Sequence, residues 1–312
     1  MTDNRDLLGE LIEQPLGKKE KGLTRVFKRL ITPSDEETEI CFQHSVICQT
    51  GLPYRDPGNA IRKWQRDQGK ASLLLVAGEI MNPETGEWVE TGLPWGAKAR
   101  LILAHVNGEA LRQRSRFIEI ESSLTGFVKR IRGFESGGRE IKAFKQQLTR
   151  LTASTMRLAI RDGERVHQKT VPIITEFDVW FQKDERQRVL WSNNITLSDE
   201  YFTSLQKHAV PLNESDLGAL AHSAMALDIY SWLAQRLHRI PGNEPARISW
   251  AALKAQFGPD YGRMEDFRKE FKKALKQVKI RYYRANIEID SQGMIASASP
   301  PPVGKRFNII SA

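Results

Sequence analysis

Cysteine is scarce in this sequence: Cys41 and Cys48 are its only two among 312 residues. A disulfide scaffold needs more, and two thiols in a chain of this length fit a reducing bacterial cytoplasm. Long apolar runs are missing as well. The longest, Leu73–Ala77 and Leu101–Ala104, fall far short of the ~20 residues that cross a bilayer, so no membrane association is expected. The opening MTDNRDLLGE has no basic stretch followed by an apolar one, and no secretory leader is expected there.

Signatures of catalysis are absent in the same way. There is no G-x-x-x-x-G-K-S/T loop to cradle a nucleotide's phosphates and no G-x-S-x-G nucleophile elbow. The six histidines include no His-x-His pair, which argues against a nicking enzyme that forms a tyrosyl–DNA bond on a bound metal. The hydroxyls of Ser45, Tyr54 and Tyr201 stand without partners that would activate them. Glu119/Glu121 and Glu288/Asp290 alternate as exposed strand residues do. Cys41-x-x-His44-x-x-x-Cys48 offers three soft ligands and no fourth. The expectation is a protein without enzymatic activity, metal or cofactor.

What the chain has is positive charge, unevenly placed. The net charge is +9. Residues 1–97 carry 12 basic and 15 acidic side chains, residues 98–169 carry 16 and 7, residues 170–235 carry 4 and 9, and residues 236–312 carry 15 and 7. Two basic blocks flanking an acidic one outline a protein with two anion-facing surfaces, and DNA is the commonest such anion.

Residues 1–38 are polar and charged and read as a flexible arm. Residues 39–95 form a turn-rich subdomain, punctuated by Gly51-Leu-Pro, Asp56-Pro-Gly, Asn82-Pro-Glu-Thr-Gly and Gly92-Leu-Pro-Trp-Gly, with a short helix at Asn59 to Gln68 and an apolar run at Ser72–Ala77. From there one pattern occurs twice. In residues 96–181 it is a helix (96–107), a short strand (Phe117–Ile120), a helix capped by Ser122/Ser123, a Gly-rich turn, a third helix (Arg139–Leu151) and strands Ser154–Arg161 and Lys169–Phe181. In residues 223–303 it is a helix (Ser223–Arg239), a strand at Ile248, a helix capped by Ser249, a third helix (Arg263–Lys279) and strands Ile280–Ile289 and Gly293–Ser299. Residues 182–222 connect the two copies and 304–312 form a tail. This order predicts an α+β protein with tandem winged helix-turn-helix domains and a small irregular N-terminal region.

In such a module the third helix packs one face on its neighbours and offers the other to the major groove. At 100° per residue, Met264, Phe267, Phe271, Leu275 and Val278 fall on one stripe, with Lys269, Lys273 and Lys276 opposite and Arg268, Lys272 and Lys279 beside them. In the first copy Ile141, Phe144, Leu148 and Leu151 make the apolar stripe, and Arg139, Lys142, Lys145, Gln146, Thr149 and Arg150 are the candidates for DNA contact. Arg, Gln and Thr make defined hydrogen bonds to base edges, whereas Lys is a compact charge for phosphates. The first module is therefore expected to read sequence and the second to supply affinity. Arg161 and Arg165 on the first hairpin, and Arg281 and Arg284 on the second, are the wing candidates.

The stretches HSVICQTGLPYRDPG (44–58), NPETGEW…GLPWGAKARL (82–101), SLTGFVKRI (123–131), GGREIKAFKQQLTRL (137–151), HSAMALDIYSWLAQRLHRI (222–240), WAALKAQFG (250–258), YGRMEDFRKEF (261–271) and SPPPV (299–303) resemble the RepA-type plasmid replication initiators of proteobacteria. The resemblance implies a cytoplasmic protein that binds repeated double-stranded sites (iterons) at a plasmid origin. It also implies help in opening adjacent AT-rich DNA and contacts with the host initiator, helicase and primase. Initiators of this type commonly use tandem winged helices and repress their own genes as homodimers. Two helices in successive major grooves imply repeats of ~20 bp. The resemblance transfers no catalytic residue and no contact role to the N-terminal motif block, whose turns are expected to pack as rigid loops on the first module. A plasmid-encoded winged-helix repressor without an initiation role is the alternative.

Overall fold

The computed structural model describes residues 40–82, 85–121, 123–162, 165–177, 194–242 and 244–303; for residues 162, 165–171, 176 and 177 the description stops at the backbone. The flexible arm expected at 1–38 and the tail at 304–312 lie outside the described residues. The chain divides into two units, one ending at Glu214 and one beginning at Ser215. The segment expected to connect the modules is thus divided, and all of it up to Glu214 belongs to the first unit.

The first unit begins with β1 (Ile40–His44) and a short helix α1 (Ser45–Thr50). Two hairpins follow, β2 (Lys63–Gln68) with β3 (Ala71–Val76), and β4 (Glu79–Met81) with β5 (Trp88–Glu90). Next come α2 (Gly96–Gln113), β6 (Phe117–Glu119), α3 (Leu124–Arg132), α4 (Gly138–Ala153), β7 (Thr155–Asp162), β8 (Arg165–Pro172) and β9 (Ile174–Phe177). The unit closes with β10 (Asn194–Leu197), α5 (Asp199–His208) and β11 (Ala209–Asn213). Helix α2 is its core: Ala99, Leu101, Ile102, Leu103, Val106 and Ala110 are all buried. The helix also continues to Gln113, beyond the 96–107 predicted for it.

Three sequence readings change here. Residues 63–68 are a strand, not part of a helix, because Gly69 at φ 56° turns the chain directly back and pairs Gln68 with Ala71 through to Lys63 with Val76. The strand expected at 169–181 is β8 followed by β9, with the intervening Ile173 buried. The β7–β8 pair also does not close a sheet with the short strand after the first helix. It joins a four-stranded sheet in the order β2–β3–β7–β8, while β6 pairs with β10 and β10 with β9.

The second unit opens within α6 (Glu214–Leu220). It continues through α7 (Ala224–Arg236), a single 3-10 turn to Arg239, β12 (Ala246–Ser249), α8 (Trp250–Phe257), α9 (Met264–Arg281), β13 (Ile287–Ile289) and β14 (Gly293–Ala296). Ser223 and Ser249 cap α7 and α8 by accepting hydrogen bonds from the amides of Ala226 and Ala252, as Ser123 and Ser198 do for α3 and α5. The three strands form one antiparallel sheet in the order β12–β14–β13. Gly293 permits that pairing, since a Cβ there would meet the Ile248 carbonyl oxygen at 2.0 Å. Residues 280–286, read as strand from their Ile and Tyr content, differ: Ile280 and Arg281 complete α9, and buried Tyr282 ends it with a hydrogen bond from its amide to the Val278 carbonyl.

Candidate nucleic-acid interface

Helix α9 separates its two chemistries cleanly. Phe267, Phe271, Ala274, Leu275 and Val278 are buried. Phe271 lies 5.9 Å from Trp250, 5.6 Å from Phe257 and 5.5 Å from Phe267, ring centre to ring centre, so aromatic packing fixes the helix to α8. On the other side Lys269, Lys272 and Lys273 are exposed, and Lys276 and Arg268 are half-buried. The guanidinium of Arg268 and the ammonium of Lys272 lie 5.2 and 5.6 Å from the centre of the Trp250 ring, which is only 3% exposed. The indole therefore supports the base of the cationic face. Lys279 is turned away from it, donating to the Ile287 carbonyl at 3.3 Å.

The hairpin beside this helix is shaped by Asp290, whose Oδ1 accepts hydrogen bonds from the amides of Gln292 and Gly293, both at 2.8 Å. These two bonds, and Arg247 at 3.0 Å, hold the Asp290 carboxyl below its ordinary value. Arg284 is exposed in the turn before β13, with its Nε donating to the Tyr283 hydroxyl.

Arg281 corrects the sequence reading. It is no wing residue: its guanidinium bonds Asp216 at 2.7 Å and the Ser215 hydroxyl at 2.9 Å, and the Arg281 and Asp216 side chains are 4% and 5% exposed. The Tyr230 hydroxyl donates to the other Asp216 oxygen at 2.8 Å. Burial pushes the Asp216 carboxyl up, against the pull of that guanidinium. This network anchors the end of α9 to α6 and α7.

Helix α4 shares its surfaces differently. Arg139, Lys142 and Gln146 are exposed, and Lys145 and Thr149 are half-buried. Arg150, expected on the outer face, is instead 7% exposed and turned inward. Its Nη1 donates to Asp56 Oδ1 at 2.9 Å and to the Leu93 carbonyl at 3.1 Å, and the bond to Arg150 is the main reason the Asp56 carboxyl is held low. Buried Gln147 accepts from the Trp95 amide at 2.8 Å. Gly92 leaves the space for this, since a Cβ there would come within 2.9 Å of the Arg150 guanidinium carbon. The first Gly-Leu-Pro turn is held in the same manner by Arg100 of α2, which donates to the carbonyls of Leu52 (2.6 Å) and Pro53 (3.2 Å). The N-terminal motif block is thus a set of rigid turns read by buried side chains of α2 and α4.

Arg161 is exposed near the end of β7; Arg165 stands opposite Asp162 in register, with its side chain outside the described residues. Two exposed arginines were missed by sequence reading, Arg157 on β7 and Arg247 on β12, and strand alternation is the signal that could have found them. The third was Arg116, whose guanidinium lies 4.2 Å from the centre of the exposed Phe117 ring.

Behind α3 lies a charged cluster the sequence did not announce. His105 Nδ1 sits 3.4 Å from Glu214 Oε1 and its Nε2 3.7 Å from Glu121 Oε2, while Arg130 reaches Glu214 at 3.2 Å. Burial disfavours charge on His105, but the two carboxylates outweigh it and raise the ring to about 9. In the Cys41/His44/Cys48 group, His44 Nδ1 accepts from the Val46 amide and Cys41 Sγ donates to the Leu212 carbonyl. Among the described residues, no group of three or more His, Cys, Asp or Glu side chains is arranged to hold a metal ion, and no helix is long and apolar enough to cross a membrane.

The model of a family described as plasmid-encoded RepA protein matches residues 93–252. Among solved structures, the chain is similar to the crystal structure of selenomethionine derivatives of domains 2 and 3 of RctB. The TM-score is 0.50 at 8% identity, over 80% of this chain and 95% of that one. A second crystal structure of RctB domains 2–3 gives 0.48 at 8% identity, over 80% and 94%. The first likeness shows a shared mixed helix-and-sheet fold. No curated protein sequence matches the chain.

Proposed function

The chain belongs to the plasmid-encoded RepA protein family, and on that premise we propose that it initiates plasmid replication by binding repeated duplex sites at the plasmid origin. The observation that carries this reading is α9: a helix pinned by an aromatic core, with Lys269, Lys272 and Lys273 exposed on the opposite side and an antiparallel hairpin beside it. The element order helix, strand, helix, helix, hairpin supports a winged-helix description of both modules, most directly the second, where all three strands share one sheet.

In this reading the lysines neutralise phosphates and release counterions, and the exposed Arg139, Lys142 and Gln146 of α4 meet base edges. The protein acts by binding energy alone. Several copies on neighbouring repeats bend the duplex, and flexible AT-rich steps lower the cost of opening it. The host initiator, helicase and primase then join the assembly. A footprint on the plasmid's own origin tests the proposal, with protected repeats of ~20 bp expected. Absence of protection would contradict it. A plasmid maintained without the protein would mark a repressor instead.

A further inference from the structure

The β4–β5 hairpin does not fit a DNA-binding surface. No lysine or arginine occurs between Lys70 and Lys98, and Glu79, Glu87 and Glu90 are all exposed on the hairpin. Beside them stand Trp88 at 65% exposure, Met81 at 52% and Val89 at 44%, with Met81 and Trp88 paired across the strands. A polyanion repels these glutamates, and an indole this open is an anchor for a protein partner. The described surface of the chain includes a complement to it: the lysine face of α9, whose Arg268 and Lys272 already cover one indole, that of Trp250.

We infer that the β4–β5 hairpin of one copy docks on the lysine face of α9 in a second copy, with Trp88 beneath the lysine ammonium groups and Glu79, Glu87 and Glu90 paired with them. Two copies can make the contact reciprocally and close as a twofold pair. The hairpin then occupies the face assigned above to DNA, so pairing and DNA binding exclude one another. That last consequence rests on the proposed DNA role of α9; the pairing itself does not.

Sedimentation equilibrium of the full chain without DNA, at low and high salt, tests this. The wild type is expected to self-associate, more weakly as salt rises. Trp88→Ala, or Lys269→Ala with Lys273→Ala, raises the dissociation constant roughly tenfold or more. All these side chains are exposed, so thermal melts should stay unchanged. An equimolar mixture of the two variants should associate better than either alone, because each retains the surface the other lacks. A wild type that stays monomeric, a Trp88→Ala variant that pairs as tightly as wild type, or a mixture that gains nothing would overturn the inference. Pairing that survives saturating duplex would uphold the contact and count against the DNA role of α9.

Discussion

The third helices of the two units, α4 and α9, use similar amphipathic sequences for unequal ends. Each turns one arginine inward near its C-terminus, Arg150 onto Asp56 and Arg281 onto Asp216. Helix α4 goes further and commits Gln147 as well, because a block of Gly-Leu-Pro turns has to be held in place. Three exposed polar residues remain on it, of mixed chemistry. Helix α9 is fixed by aromatic rings instead, which leaves its outer face free for lysine. The lesson is that a charged side chain on a helix in a basic protein is structural or functional according to what the other elements need from it.

The largest expected contrast lies in the two inward arginines. Asp216→Ala would leave Arg281 charged and almost fully buried, and should destabilise the second unit by about 3–5 kcal/mol. Asp56→Ala removes a partner whose side chain is 38% exposed while the Leu93 carbonyl still accepts from Arg150, so about 1 kcal/mol is expected. Denaturant titrations of both variants check this; equal losses would break the comparison.

A second contrast is in pH. His105 has a folded value near 9 against 6.5 unfolded, so its stabilisation is complete below pH 6.5 and is lost as pH climbs through 9. The first unit should lose about 3 kcal/mol over that window, and His105→Gln should remove the dependence. A wild-type stability that is flat from pH 6.5 to 9 would contradict the charged state of the cluster.

Smaller effects concern recognition. Gln146→Ala should cost about 1–3 kcal/mol at one preferred base pair and little elsewhere in a randomised site library. Lys273→Ala should weaken all sites alike. A uniform loss in both would erase the division of labour between the helices.

What the sequence made legible was local. Serine caps at 123, 198, 223 and 249 and the aromatic stripe of α9 are set within a turn or two of chain, and they stand where the pattern put them. What it hid was tertiary. Arg150 meets an acid 94 residues away and Arg281 one 65 residues away, and no helical projection reveals such partners. The pairing of β3 with β7, which draws the first hairpin into a four-stranded sheet, is equally remote in sequence. Residues 59–68 misled for a different reason: the Gly69-Lys70 turn outranks a weak helical pattern once β3 is there to pair with.

The salt dependence of duplex binding tests the central claim most directly. With Lys269, Lys272 and Lys273 changed together to alanine, the slope of log affinity against log salt should flatten by about 0.9 for each phosphate no longer neutralised, close to 3 in all. An unchanged slope, with the variant still folded, would mean that this face of α9 does not touch DNA.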